Sequence, residues 1–142
     1  MQPCNHVVML SLKVVTPQRT VLDRDDVEMV LAPGSEGELG ILPNHAPLLS
    51  KLKQGVVKYR VLGKEHYIGL EGGFLEVSSN KVAILADKAI LPEEADLRRA
   101  EEARQLAKMR LEKRLEGTDF IKVEAELRKA LLELKLLEYA GK

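Results

Sequence analysis

Ile121-Lys122-Val123-Glu124-Ala125-Glu126-Leu127-Arg128-Lys129-Ala130-Leu131-Leu132-Glu133-Leu134-Lys135-Leu136-Leu137-Glu138-Tyr139 is the stretch on which the architecture turns. Val123, Leu127, Ala130, Leu134 and Leu137 recur at alternating spacings of four and three, which places them on one face of a helix. A second apolar set, Ile121, Ala125, Leu132, Leu136 and Tyr139, falls roughly opposite the first at about 100° per residue. Such a helix needs two partners. Upstream, a second helical pattern begins near Leu91 and carries Ala100, Ala103 and Ala107 as a stripe of small residues that lets another backbone approach closely. Pro92 suits its first turn, and Glu93, Glu94 and Asp96 suit the positive end of its dipole. Glu116-Gly117-Thr118-Asp119 separates the two patterns, so the spacing predicts a helical hairpin over residues 89–142. The first arm supplies one partner for the second; the other partner must come from elsewhere.

Residues 1–88 have a different period. Val7 to Val15 is rich in β-branched residues and ends at the turn Thr16-Pro17-Gln18-Arg19. Thr20 to Leu22 and Val27 to Ala32 continue as strands, with Asp23-Arg24-Asp25-Asp26 read as a polar break. Further strands are expected at Val56 to Leu62, His66 to Leu70, Phe74 to Val77 and Val82 to Ala86, punctuated by Gly63-Lys64, Gly72-Gly73 and Ser79-Asn80. Short strands with turns about every ten residues predict an antiparallel sandwich or barrel. With two Phe, three Tyr and no Trp, its core must be aliphatic.

Composition limits the function classes. Hydrophobic residues at 45% and charged residues at 31% are those of a globular chain, and no apolar run approaches the roughly 18 residues of a membrane span. The start, Met1-Gln2-Pro3-Cys4-Asn5-His6, has no basic region followed by an apolar run, which predicts a cytosolic chain without direct membrane insertion. One cysteine forms no internal disulfide, and three scattered histidines predict no metal site. Net charge is zero; residues 1–88 carry 10 basic and 10 acidic side chains, and residues 89–142 carry 12 of each on a much shorter segment. That rise in charge density, together with the change of period, marks two units. Neither is basic enough to predict nucleic acid as the main partner.

The connection Pro33-Gly34-Ser35-Glu36-Gly37-Glu38-Leu39-Gly40-Ile41-Leu42-Pro43-Asn44-His45-Ala46-Pro47-Leu48-Leu49 is the most distinctive part of the first unit. It lacks the Lys-Ser or Lys-Thr and the following helix of a phosphate loop, so the glycines serve backbone conformation and the prolines stiffen the segment. His45 has no nucleophile or second ligand near it in sequence and reads as a hydrogen-bonded loop residue.

Gly37-Glu38-Leu39-Gly40-Ile41-Leu42-Pro43-Asn44-His45-Ala46-Pro47-Leu48, followed by Gly72-Gly73-Phe74-Leu75-Glu76-Val77 and by Val82-Ala83-Ile84-Leu85-Ala86-Asp87, resembles the epsilon subunit of bacterial and chloroplast ATP synthase. The resemblance covers nearly the whole chain. It implies an α+β architecture, with an N-terminal antiparallel β-sandwich of about ten strands and a C-terminal antiparallel two-helix hairpin. It also implies a non-catalytic subunit of the central stalk. The sandwich would bind the gamma subunit and stand on the c-ring through Glu38, with Gly37, Leu39, Gly40 and His45 beside it. The hairpin would fold down on the sandwich or extend into the catalytic head of alpha and beta subunits. There, Arg98, Arg104, Lys108, Arg110, Lys113 and Arg114 would meet an acidic segment of beta and block ATP hydrolysis. From the residues alone, these cations read as a solvated face balanced by Glu101, Glu102, Glu112 and Glu116.

Some bacterial members of that family bind a regulatory ATP through Ile or Leu, then Asp, two variable residues, Arg and Ala. Here Asp96, Arg99 and Ala100 match, Ala95 replaces the larger apolar residue, and the second arm offers Lys129 with Glu133 where arginines often complete the phosphate contacts. Asp96 can accept from an adenine amino group and Arg99 can pair with phosphate, or Asp96 can cap the helix while Arg99 makes a local ion pair. No cofactor is required on this reading. The isolated chain is expected to be monomeric, and the complex to lie on the cytoplasmic face of the bacterial plasma membrane in preference to the thylakoid. A different class of function is a free-standing sandwich adaptor that self-associates through the Val123 to Leu137 stripe. A nucleotide-hydrolysing enzyme lacks its phosphate loop, general base and metal carboxylates in this sequence.

Overall fold

The computed structural model describes residues 8–113 and 119–141. The Met1 to His6 extension, Arg114 and Glu116-Gly117-Thr118 lie outside the described residues. Eight strands come first: β1 (Leu10–Val15), β2 (Thr20–Val27), β3 (Met29–Gly34), β4 (Gly37–Ile41), β5 (Leu48–Val61), β6 (Lys64–Ser78), β7 (Lys81–Ala86) and β8 (Ala89–Ile90). A 3-10 turn (Pro92–Glu94) leads into helices α1 (Leu97–Lys113) and α2 (Phe120–Ala140). The strands form one hydrogen-bonded sheet in the order β2-β1-β7-β6-β5-β3-β4, with β8 paired to β6. Every pairing is antiparallel except β1 with β7.

One bend turns this sheet into a sandwich. In β5 the buried positions change parity, from Leu52 to Val57, Tyr59 and Val61. In β6 they change from Ile68 and Leu70 to Leu75 and Val77. The two strands keep one register throughout, Leu52 opposite Gly73 and Gln54 opposite Glu71, so both fold over at the same level. Gly72 and Gly73 have φ of 93° and 135°, which a residue with a side chain rarely adopts. The core between the layers is aliphatic, with Leu10, Leu12, Val14, Ile68, Leu75 and Ile84 fully buried; Tyr59 is its one aromatic member.

Several expectations change here. The strands expected on either side of Gly72-Gly73 are one bent strand, and the described residues hold eight strands where about ten were expected. Asp23-Arg24-Asp25-Asp26 does not interrupt β2, because β2 is a terminal strand of the sheet, where charges face water and discourage pairing with another chain. Arg24 forms paired 2.8 Å hydrogen bonds with Asp26, two residues on. The central connection is not all loop: Gly37 to Ile41 is the opposite terminal strand, paired to β3 from Val30↔Ile41 to Gly34↔Gly37. Pro33 is tolerated in β3 because the β3–β5 ladder is irregular between Leu31 and Gly34. Pro92 does not open α1, which starts at Leu97 with Asp96 as its cap; the Asp96 carboxylate accepts from the Arg99 N–H at 3.2 Å.

The hairpin forms around the first stripe of α2. Val123 and Ala130 are 4% and 3% exposed, matched on α1 by Ala100 and Ala107 at 2% each. Asp119 caps α2, accepting from the Lys122 N–H at 3.1 Å. Of the stripe that an adaptor would use to self-associate, Val123 and Ala130 are therefore covered from within, and Leu127, Leu134 and Leu137 are half-buried. The second stripe is divided. Leu132 and Leu136 are buried over Gly69 of β6, where a Cβ would lie 3.4 Å from Leu132 Cγ and 3.5 Å from Leu136 Cδ2. Tyr139 stacks on Tyr67 with centroids 5.7 Å apart. Toward the other end Ile121 is 81% exposed and Ala125 is also exposed.

The bend makes a stability prediction. A Cβ at Gly73 would run into the Leu85 carbonyl oxygen and lie 2.8 Å from Ala86 Cα, whereas one at Gly37, with φ of 139°, meets nothing within 4 Å. Gly37→Ala is expected to lower the unfolding free energy by about 1–3 kcal/mol, from backbone strain alone. Gly73→Ala is expected to cost more than about 4 kcal/mol or to prevent folding, as read by urea denaturation; equal losses would contradict the bend as described.

Candidate functional site

Where the hairpin lies over the sandwich it leaves an open cleft of about 730 Å³, within the size range of small-molecule sites. Its walls come from the β1–β2 turn (Thr16, Gln18, Arg19), from β6 and the segment after β7 (Gly69, Glu71, Lys88), from the 3-10 turn (Glu94), from the start of α1 (Asp96, Arg99) and from α2 (Glu126, Lys129, Glu133). Of the residues singled out for nucleotide, Asp96, Arg99 and Lys129 line this cleft. Ala100 does not; it is 2% exposed on the buried side of α1, where its size suits helix packing. Glu133 lines the cleft on the same helix as Lys129.

Sequence reasoning missed the sandwich half of the cleft, Arg19, Glu71, Lys88 and Glu94. These side chains come from separate strands and turns, so no local spacing links them. Arg19 is held in its turn by Thr16, whose N–H donates to the Arg19 carbonyl at 2.8 Å and whose hydroxyl oxygen accepts from the Arg19 N–H at 3.2 Å. Its guanidinium donates to Glu94 Oε1 at 2.7 Å, and the same oxygen accepts from the Leu91 N–H at 2.8 Å. The hydrogen bond from Arg19, then that from the Leu91 backbone, holds the Glu94 carboxyl below the usual carboxylate range, and Arg19 is raised in turn. Around the cleft stand four cations, Arg19, Lys88, Arg99 and Lys129, and five carboxylates, Glu71, Glu94, Asp96, Glu126 and Glu133. Two of the carboxylates have cationic partners already, Glu94 in Arg19 and Glu126 in Arg110 at 3.8 Å.

The other predicted groups sit apart from the cleft. Gly37, Glu38, Leu39 and Gly40 lie on the terminal strand β4, exposed except for half-buried Leu39. His45 follows in the β4–β5 loop, where its N–H donates to the Leu42 carbonyl at 3.1 Å and its Nδ1 lies 2.7 Å from the Ala46 oxygen. That loop is tied to the β6–β7 turn by the Asn44 N–H, which donates to Asn80 Oδ1 at 2.6 Å. On α1, Arg98 pairs with Glu102 at 3.4 Å and Arg104 with Glu101 at 3.2 Å, while Lys108 and Lys113 are exposed. Arg104 Nε is buried without a hydrogen-bond partner.

One further surface carried no signal that was read from the sequence. Phe74 of β6 pairs with Leu85 of β7 and with Lys51 of β5, and Leu49 lies diagonally across the same face. Phe74, Leu85 and Leu49 are 52%, 60% and 71% exposed, an apolar row across three strands. The signal was the adjacent pair Phe74-Leu75, which puts an apolar side chain on both faces of one strand. Among the described residues no group of three or more His, Cys, Asp or Glu is arranged to hold a metal, and no helix is long and apolar enough to cross a membrane.

Residues 9–92 match the family described as ATP synthase, Delta/Epsilon chain, beta-sandwich domain. The chain is 48% identical over 124 residues to the ATP synthase epsilon chain of Desulfitobacterium hafniense strain Y51, covering 87% of this chain and 92% of that one. It is 41% identical over 126 residues to the ATP synthase epsilon chain of Symbiobacterium thermophilum, covering 89% and 91%. A chain in the cryo-EM structure of the Euglena gracilis mitochondrial ATP synthase (OSCP/F1/c-ring, rotational state 1) shares the fold, with a TM-score of 0.73 at 22% identity over 100% of this chain and 87% of that chain. With bacterial relatives this similar over almost their full length, the chain belongs to the ATP synthase epsilon chain family.

Proposed function

We propose that this chain, a non-catalytic subunit of ATP synthase, couples rotation of the c-ring to the catalytic head and restrains ATP hydrolysis through its helical hairpin. The observation that carries the regulatory part is the divided second stripe of α2. Only Leu132 and Leu136 are fully enclosed against the sheet, with Tyr139 stacked beyond them. Burial of two leucines contributes roughly 3–6 kcal/mol, which a ligand or a rotor position can offset. Ile121 and Ala125 already lack a cover, so an extended hairpin that buries the whole stripe on another subunit gains area. The hairpin itself stays intact, because the Ala100, Ala107, Val123 and Ala130 face is enclosed within it.

The remaining roles follow the surfaces. The apolar row Leu49, Phe74 and Leu85 takes the gamma subunit, since an exposed apolar strip flanked by charge is the chemistry of a protein interface. The c-ring is met by Gly37, Glu38, Leu39, Gly40 and His45; the β3–β4 ladder and the Asn44–Asn80 tie make that region stiff enough to carry torque. On α1, Arg98, Arg104 and Arg110 exchange their weak partners for carboxylates of the beta subunit, with alpha alongside, when the hairpin extends, and the exposed Lys108 and Lys113 meet carboxylates there too. The complex works at the cytoplasmic face of a bacterial plasma membrane, as the bacterial relatives support. A regulatory ATP binds in the cleft, with Asp96 on the adenine and Arg99 and Lys129 on the phosphates, Ala100 packing behind them. Binding is weak, because the three cations left after the Arg19–Glu94 pairing face a similar number of carboxylates.

Three outcomes test this reading. In the assembled enzyme, with Cys4→Ser, the pair Tyr67→Cys and Tyr139→Cys is expected to cross-link in a yield that changes with nucleotide; equal yield under every nucleotide condition sinks the switch. Phe74→Asp together with Leu85→Asp is expected to leave the fold intact and remove the chain from stoichiometric co-purification with gamma; retention would place gamma elsewhere. Calorimetry with MgATP on the isolated chain is expected to show weak binding that tightens about tenfold, or ~1.4 kcal/mol, in Glu133→Lys and disappears in Arg99→Ala. No heat at millimolar ligand from the wild type or from Glu133→Lys removes ATP from the mechanism.

A further inference from the structure

We infer that the hinge of the hairpin lies at Ala95-Asp96, and that Arg19 and Glu94 fasten the preceding linker to the sandwich. The inference rests on the detachable hairpin proposed above, and it shifts the working boundary away from the change in composition at residues 88 and 89. Beyond β7 the chain stays bonded to β6. The Asp87 N–H donates to the Gly72 carbonyl at 3.2 Å, and the Glu71 N–H donates to the Lys88 carbonyl at 3.0 Å. Ala89 and Ile90 then pair with Leu70 and Gly69. Ala89 and Leu91 pack against the hydrophobic core. The 3-10 turn closes on itself, with the Glu94 N–H donating to the Leu91 carbonyl at 3.0 Å and the Ala95 N–H to the Pro92 carbonyl at 3.1 Å.

Glu94 joins this turn to a remote part of the sandwich. Its Oε1 accepts from the Leu91 N–H and from the Arg19 guanidinium, 75 residues away in the chain. As an exposed ion pair the contact is weak, and its role is local. It decides where attachment to the sandwich ends. Ala95 is extended, with φ of −87° and ψ of 142°, and from Asp96 onward the backbone serves the helix, as in the Ala100 N–H donating to the Asp96 carbonyl at 2.9 Å. Ala95-Asp96 is thus the joint between the last bonds tied to the sandwich and the first bonds of α1.

The hinge position divides the cleft. Arg19, Glu71, Lys88 and Glu94 stay with the sandwich, whereas Asp96, Arg99, Lys129 and Glu133 travel with the hairpin. Any ligand that touches both sets holds the hairpin down, and the cleft ceases to exist when the hairpin leaves.

The test uses the full chain with Cys4→Ser and Leu132→Cys, so that thiol labelling reports departure of α2 while hydrogen exchange reports the linker. The thiol is expected to label at least tenfold faster than the Leu91, Glu94 and Ala95 amides open, because departure of the hairpin leaves the linker in place. Arg19→Ala is expected to accelerate exchange at Leu91, Glu94 and Ala95 about fivefold and to leave the Glu71 amide unchanged. Linker amides that open at the thiol's rate, or that ignore Arg19→Ala, overturn the inference. If the thiol labels only on global unfolding, the detachable hairpin falls instead, and the response of the linker to Arg19→Ala still decides whether the fastener exists.

Discussion

No side chain fits at Gly73. Its φ of 135° and the Leu85 carbonyl against its Cα leave room for hydrogen alone, and the rest of the molecule follows from the fold-over that this permits. Because β5 and β6 bend together without losing register, one ladder supplies both layers of the sandwich. The inward positions exchange parity at the bend, so Leu52 and Leu75 close one part of the core while Val57 and Ile68 close the other. The same exchange leaves Gly69 facing outward between two core residues, Ile68 and Leu70, with no side chain of its own. A helix can approach closely there. Leu132 and Leu136 pack there, and a Cβ at Gly69 would first crowd Ile90 Cγ2, at 2.9 Å, in the strand beside it.

This arrangement produces two interfaces of different strength within one hairpin. Between α1 and α2 the contact is made by alanines facing Val123 and Ala130, close enough that all four are nearly inaccessible. Between α2 and the sheet, two leucines and a tyrosine stack make the main apolar contact, helped by the Gln54 amide donating to the Arg128 carbonyl at 2.7 Å. The contact with the sheet is the smaller of the two, and the detachment proposed above would break it while leaving the arms together. Attachment through so small a footprint is what a reversible element requires, since a larger one would need more differential binding energy than a ligand supplies.

Periodicity carried most of the architecture. The two stripes of α2 were legible because a helix of this length repeats its signal several times, and the core strands were legible because their neighbours alternate. The sequence misled where an edge changes the rule. Asp23 to Asp26 looks like a break only if a strand must bury one face, and a terminal strand need not. Gly37 to Ile41 hid inside a stretch whose glycines and prolines suggested a loop, although β3 provides a backbone partner for every residue of it. Pro92 mimicked a helix start because it opens a 3-10 turn, and the helix waited for the carboxylate of Asp96. For the candidate site, the half borne by the helices was visible as Asp96, Arg99 and Lys129, while Arg19, Glu71, Lys88 and Glu94 converge only after folding. Ala100, the remaining motif position, does not line the cleft but is buried in helix packing.

The charge balance of the cleft acquires a meaning once its two halves are separated. Arg19 and Glu94 neutralise each other on the sandwich side, and Lys88 stands there with Glu71; Arg99 and Lys129 stand with Asp96, Glu133 and Glu126 on the helical side, where Glu126 is paired to Arg110. Each half is close to neutral by itself. Opening the hairpin therefore leaves no strong unpaired field on either surface, and closing it brings together no large excess of one sign. A strongly basic cleft would bind polyphosphate tightly, but in the absence of ligand its cations would repel one another and drive the hairpin off the sheet. Near-neutral halves avoid that repulsion, at the cost of affinity. Glu133 beside Lys129 keeps the helical wall from carrying an excess of positive charge, so under the proposed regulation nucleotide prolongs a closed state that already exists rather than creating it.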